Sequence, residues 1–289
     1  VAFSRTYKIP LLFGSLQALD LALKRDWDLY HKHTEETEAL YFTETLHTTP
    51  IKEMGSAAYR RLIQEYMIYA VPTLLSSDQA FRVLAGDVDV LSDSVLSGPW
   101  MFDEKEEQEL IPSMFGGAEV MEKLEAFFLK GKEPVYVGWG SMVATKGPEH
   151  MCRLAVGALK IAGARGVILG GWAKLSVGLL KGFDSETAAL RAYAAENVLF
   201  VDKAPHNWLL PRCSCAVIHG GMSTLFTCWR AGVPTIVCPV DFDQFFNASV
   251  NKVLGSGGAM PQINACTPEA LGAMIQDVCG VPTYQLNVA

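Results

Sequence analysis

From residue 120 onward the chain alternates short, uninterrupted apolar runs with stretches carrying a helical stripe, a pattern that few folds accept. The runs at 135–140, 166–169, 198–201, 215–218 and 235–238 are rich in β-branched residues, as strands covered on both faces are. Between and after them, 149–162, 185–194, a short 207–210, 223–231, 244–254 and 268–278 read as helices. Such a series predicts an α/β domain with a doubly wound parallel sheet, whose ligands sit at the carboxyl ends of the strands. Three polar or glycine-rich strand exits fall there: Gly140 with Ser141, Gly170 with Gly171, and His219 with Gly220.

The predicted organisation is 1–102 as a first, incomplete domain, 103–118 as a linker and 119–289 as the sheet domain. In the first block, 13–30 carries a helical stripe of Leu16, Leu19, Leu23 and Trp27. A second helix is expected over 59–67, and extended pieces over 71–77 and 89–100. The linker is read from the acidic run 103–109, Pro112 and the pair Gly116 and Gly117.

Charge and composition exclude several classes. A net charge of −7, with Lys and Arg scattered, argues against a nucleic-acid partner. No apolar run approaches the ~20 residues a membrane helix needs. Seven cysteines without regular spacing suit reduced thiols in a cytoplasmic protein, either free or peripheral to membranes. Cys213 and Cys215, with His206 and His219 near, have the residue types of a metal site but not the usual spacing, so they read as thiols entering a buried strand. His31 and His33 read as solvated, and Asp87 with Asp89 as a loop pair rather than metal ligands. The first residue is Val1, with no initiator Met and no signal sequence, so a fragment is expected.

The chemistry concentrates in His219, Gly220, Gly221, Met222, Ser223 and Thr224, then the run from Arg230 to Pro234, then Asp243 and Gln244. Glycines let backbone N–H groups approach a phosphate closely, and a helix N-terminus attracts negative charge. Ser223 and Thr224 add hydroxyl donors, His219 can donate to a phosphate oxygen, and Asp243 with Gln244 can bond sugar hydroxyls. Each part thus suits one part of a nucleotide diphosphate sugar. A dinucleotide-binding dehydrogenase fits worse, because Gly138 and Gly140 lack the third glycine and position 143 is Val. Asp243 has a rival reading as a helix N-cap, and His206 likewise as a cap of its short helix. Trp139 and Trp172 read equally as cleft-lining or packing aromatics.

The segments 134–142, 170–172 and 204–212, the His219 turn, the run 230–234 and Asp243 with Gln244 together resemble the sterol 3β-glucosyltransferase branch of the UDP-glycosyltransferases. That resemblance implies the GT-B fold, two Rossmann-like domains that hold the acceptor and the sugar nucleotide. It implies an inverting transfer of a sugar, glucose from UDP-glucose, to a hydroxyl of a lipophilic acceptor such as a sterol. No cofactor is implied beyond the UDP-sugar co-substrate. By the resemblance, Gly140 and Ser141 lie near the diphosphate, and Ala204 and His206 match the loop that holds the uracil. His219, Gly221, Ser223 and Thr224 would bind the phosphates, and Asp243 and Gln244 the sugar. The chain departs from the branch at Ile218, where a second histidine is usual. It departs again at Asp241, Phe242 and Phe245, where Phe, Gly and Pro are usual; Asp241 and Phe245 would sit close to the sugar. The family's catalytic base is a histidine near the start of the first domain, which places it upstream of Val1. Two other readings stand beside transfer: a UDP-sugar-binding fragment without catalysis, and a UDP-N-acetylglucosamine epimerase of the same architecture.

Overall fold

The computed structural model describes residues 13–15, 73–75, 94–96 and 117–280. The chain divides into two compact units, Val1–Trp100 and Met101–Ala289. In the first, strands β1 (Phe13–Ser15), β2 (Thr73–Leu75) and β3 (Ser94–Leu96) form a parallel sheet in the order β1-β2-β3. The extended pieces expected over 71–77 and 89–100 thus contain strands. The helix expected over 13–30 is corrected at its start, because Phe13–Ser15 pairs with Thr73–Leu75. Parallel pairing with β2 decides the conformation of these three residues, where propensity only biases it. The stripe itself, Leu16, Leu19, Leu23 and Trp27, lies outside the described residues, as do the helix expected over 59–67, His31, His33, Asp87, Asp89 and the acidic run.

The second unit contains helix α1 (Gly117–Phe128), β4 (Val135–Gly138), α2 (Gly147–Ala162), β5 (Gly166–Leu169), α3 (Ser185–Asn197) and β6 (Val198–Val201). It continues with α4 (His206–Leu209), β7 (Cys215–Ile218), α5 (Met222–Arg230), β8 (Thr235–Val237), α6 (Gln244–Val253), β9 (Gly257–Ala259) and α7 (Pro268–Gly280). The six strands are all parallel, in the order β6-β5-β4-β7-β8-β9. The strand order reverses between β4 and β7, so a crevice opens there at the carboxyl ends.

Both faces of the sheet are covered, which is why the strands read as unbroken apolar runs. Val135, Val137, Ile168, Val217 and Ile236 point into one core with α2 and α7. Tyr136, Val167, Leu169, Ala216, Ile218 and Val237 point into the other, with Leu124, Leu209, Leu225 and Ala248. Local signals set the helix ends. Asp184 caps α3 by accepting from the Thr187 N–H at 2.7 Å, and α2 opens on a proline and closes on left-handed Gly163 (φ 64°). Among the described residues, no helix is long and apolar enough to cross a membrane.

Candidate active site

The strand exits at the switch point carry the predicted phosphate residues. Beyond β4, Gly140 takes a left-handed conformation (φ 57°), and its carbonyl accepts from the Trp172 N–H at 2.9 Å. Gly171 (φ 56°) lies so close to that carbonyl that a Cβ would strike it. Beyond β7, His219 enters a slot between two glycines. A methyl group on Gly140 would come within 3.2 Å of His219 Cε1, and one on Gly221 would strike the ring. Gly220 closes the turn at φ 95°, with room for no side chain, since a Cβ would meet Val237 Cγ1 at 2.6 Å. Gly221 is the N-cap of α5 and offers no side-chain oxygen. The opening N–H groups of α5, at Met222, Ser223 and Thr224, therefore lack intrahelical partners and concentrate positive potential beside His219.

Gly140, His219, Gly221 and the start of α5 are thus one cluster. Ser141 and Ser223 are exposed and Thr224 is half-buried. The His219 ring is largely buried, and burial pushes its pKa down to about 4, with the Gly138 carbonyl pulling the other way. At neutral pH it is an uncharged donor and acceptor.

Ala204 and His206 sit deeper than the sequence suggested. Ala204 is buried in the core, main chain included. His206 Nε2 lies 2.8 Å from the Tyr136 hydroxyl, and the rings meet edge to face. Burial, then the nearby His219, holds the His206 pKa down to about 4. Pro205 is the N-cap of α4 and no side-chain cap bond forms, so the cap reading of His206 is corrected. Its ring is held instead by the Tyr136 phenol, 70 residues away in the chain.

Asp243 does not cap α6 through its side chain either. Its Oδ2 accepts from Asn247 Nδ2 at 3.0 Å, one helical turn on. Burial pushes its pKa up, and the Asn247 bond opposes this. Gln244 is buried, and its Oε1 accepts from the N–H groups of Val240 (2.8 Å) and Asp241 (3.0 Å), which pins the loop after β8. In that loop Phe242 is exposed and left-handed (φ 58°), a conformation that favours glycine. Trp139 is buried as a packing aromatic, whereas Trp172 is 75% exposed at the rim.

Among the described residues, three buried side-chain polar atoms make no well-formed hydrogen bond: Trp139 Nε1, His219 Nδ1 and Asn247 Oδ1. Trp139 and His219 directly follow β4 and β7, and Asn247 reaches the Gly220 carbonyl. Trp139 interacts with the Cys238 thiol and His219 with the Gly138 carbonyl, so Asn247 Oδ1 is the clearest of the three orphans. Such orphans are uncommon because each costs about 1–3 kcal/mol. Cys213 and Cys215, by contrast, are buried with thiol pKa values pushed up, as unreactive core thiols are.

Residues 167–289 match the family described as erythromycin biosynthesis protein CIII-like, C-terminal domain. A sterol 3-beta-glucosyltransferase of Saccharomyces cerevisiae is 32% identical over 172 residues, 60% of this chain and 13% of the relative. The sterol 3-beta-glucosyltransferase UGT80B1 of Arabidopsis thaliana is 34% identical over 147 residues, 51% of this chain and 22% of the relative. The chain therefore spans less than a quarter of these curated relatives. Among solved structures, Medicago truncatula UGT71G1 complexed with UDP-glucose matches with a TM-score of 0.68 at 15% identity, covering 100% of this chain and 66% of that one. Os79 of O. sativa in complex with UDP matches with a TM-score of 0.66 at 16% identity, covering 99% of this chain and 68% of that one. The resemblance to sterol 3β-glucosyltransferases is borne out over the C-terminal part, and the α/β architecture is that of GT-B glycosyltransferases.

Proposed function

We propose that this chain holds the donor side of an inverting hexosyltransferase that moves glucose from UDP-glucose to a hydroxyl of a lipophilic acceptor such as a sterol. The observation that carries the reading is the His219 ring set between Gly140 and Gly221 at the start of α5, on the switch point of the sheet. The names of the sequence relatives and the nucleotides in the solved relatives support the donor and acceptor classes.

In this reading the diphosphate lies across the turn from Gly140 and Ser141 to Gly221, Ser223 and Thr224. As the glycosidic bond to the leaving phosphate breaks, the sugar gains oxocarbenium character and negative charge grows on UDP. His219 donates one hydrogen bond to that charge, the hydroxyls donate others, and the α5 N-terminus faces it with fixed dipoles. Donors already in place need no reorganisation during the reaction, which is what makes such a cluster effective. Asp243 orients the sugar through the carboxylate oxygen not taken by Asn247, and Gln244, which is buried, serves that contact by pinning the loop before it. The uracil lies against the loop that His206 and Tyr136 steady, with Ala204 packed in the core beneath it. The base that deprotonates the acceptor belongs to the acceptor side.

Calorimetric titration of UDP and UDP-glucose tests the donor assignment. His219→Ala is expected to weaken both ligands about tenfold or more, the loss of one charge-assisted hydrogen bond. Asp243→Ala is expected to weaken UDP-glucose alone. Equal binding of both ligands by wild type and His219→Ala would remove the donor site from this edge of the sheet. Transfer of labelled glucose to a sterol by the chain separates an enzyme from a module that only binds.

A further inference from the structure

We infer that Asn247 is a positioning residue that sets the sugar-holding acid in register with the phosphate turn; this rests on the donor site proposed above. Asn247 lies on α6 and is wholly buried. Its Nδ2 donates to the Gly220 carbonyl at 2.8 Å and to Asp243 Oδ2 at 3.0 Å. One amide nitrogen, with its two hydrogens, therefore spans two parts of the site that come from different strand exits.

Both partners are constrained to transmit that geometry. Gly220 has one accessible shape, since its left-handed turn is closed against Val237. The loop leading to Asp243 is held independently, by Gln244 Oε1 on the Val240 and Asp241 N–H groups and by Gln262 Nε2 on the Val240 carbonyl at 3.1 Å. Asn247 consequently acts on the Asp243 carboxylate, not on the path of the backbone. By occupying Oδ2 it leaves Oδ1 as the oxygen that can turn to a sugar hydroxyl.

The amide's orientation is fixed by the same pair. Two acceptors demand the nitrogen, and reversing the group would set Oδ1 against a carbonyl and a carboxylate. The cost is an Oδ1 buried without a partner. A residue chosen for packing alone would avoid that orphan, because an apolar side chain of similar volume leaves nothing unpaired at its own position.

The test is a calorimetric comparison of UDP with UDP-glucose on wild type, Asn247→Ala, Asp243→Ala and the double variant, each checked for folding by circular dichroism. Asn247→Ala should lower the ratio of UDP-glucose to UDP affinity about tenfold, as loss of an orienting bond to a charged group does. In the Asp243→Ala background the same change should leave the ratio where it is. Asn247→Leu keeps the volume, removes the shared donor and should behave as Asn247→Ala; it takes over if the alanine variant does not fold. An unchanged ratio in a folded variant overturns the coupling and makes Asn247 a structural residue, while UDP binding itself still supports the donor site. An equal fall in the ratio with and without Asp243 also overturns it, by showing that Asn247 acts on the sugar directly. Failure of wild type to bind either nucleotide removes the donor site and this inference with it.

Discussion

Gly221 separates the demands of the fold from those of the site. Its backbone is ordinary, at φ −64° and ψ 134°, so alanine fits there without dihedral strain. A Cβ would nevertheless strike the His219 ring, so the missing side chain serves the slot and not the turn. Gly220, its neighbour, is the opposite case, since φ 95° and the Val237 contact both require glycine. Gly221→Ala should therefore shift the melting temperature by only a few degrees, about 1 kcal/mol or less. It should also weaken UDP about tenfold by displacing the ring. Calorimetry beside a thermal melt checks both; tight UDP binding by the variant would mean the ring position does not matter. His219 and its glycines stood out in the sequence because a β-run, a histidine and two glycines in a row have few structural uses. Asn247 and Tyr136 did not stand out. Each looks like part of its element, and only the fold brings Tyr136 to His206 across 70 residues, or the Gly220 carbonyl to Asn247.

At the scale of elements, the parallel strands were legible because burial on both faces writes itself as an uninterrupted apolar run. Strand β9 was not, being Gly257, Gly258 and Ala259 with no β-branched residue. Its place is set by tertiary demands instead. Gly257 (φ 150°) abuts the Thr235 backbone, and Met274 fills the space over Gly258. Helix α1 was missed for a similar reason, as it begins at Gly117, a residue that reads as a breaker. The device that holds β9 is Asn251, wholly buried on α6. Its Nδ2 donates to the carbonyls of Thr235 (2.7 Å) and Gly258 (3.1 Å), and its Oδ1 accepts from Trp229 Nε1 (3.1 Å) and Ser256 Oγ (3.0 Å). Asn251→Ala leaves four groups without these bonds, and the expected cost is about 3 kcal/mol, read from urea unfolding. Hydrogen exchange should place the earliest added opening at β9, the sheet's edge. A uniform loss of protection would instead mean that the edge strand and the rest of the sheet open as one unit.

At the scale of the whole molecule, two histidines whose pKa values lie near 4 tie stability to acidity. Their usual value is 6.5, so between pH 6.5 and about 4 the unfolded chain binds protons that the folded chain refuses. Stability is complete above that window and falls as pH drops through it, by at most about 3 kcal/mol for each histidine. Asp243, whose carboxyl is pushed up from 3.8, works in the opposite sense, because the folded state takes its proton first. Urea melts at pH 7.5 and 5.0 should show the net loss, and His219→Asn should reduce it. A bound diphosphate changes the balance, since its negative charge raises the pKa of the ring beside it. UDP-glucose has no secondary phosphate ionisation in this range, so any proton taken up on binding belongs to the protein. On the proposed reading its affinity rises as pH falls from 7.5 to 5.5, and its binding heat depends on the buffer's ionisation enthalpy. The shift in melting temperature at a fixed UDP-glucose concentration should then be larger at pH 5.5 than at 7.5, although the free protein is weaker there. Both effects should disappear in His219→Asn. If they persist in that variant, the proton goes to His206 or to Asp243, the other two groups with shifted pKa values there, and Asp243→Asn tells them apart.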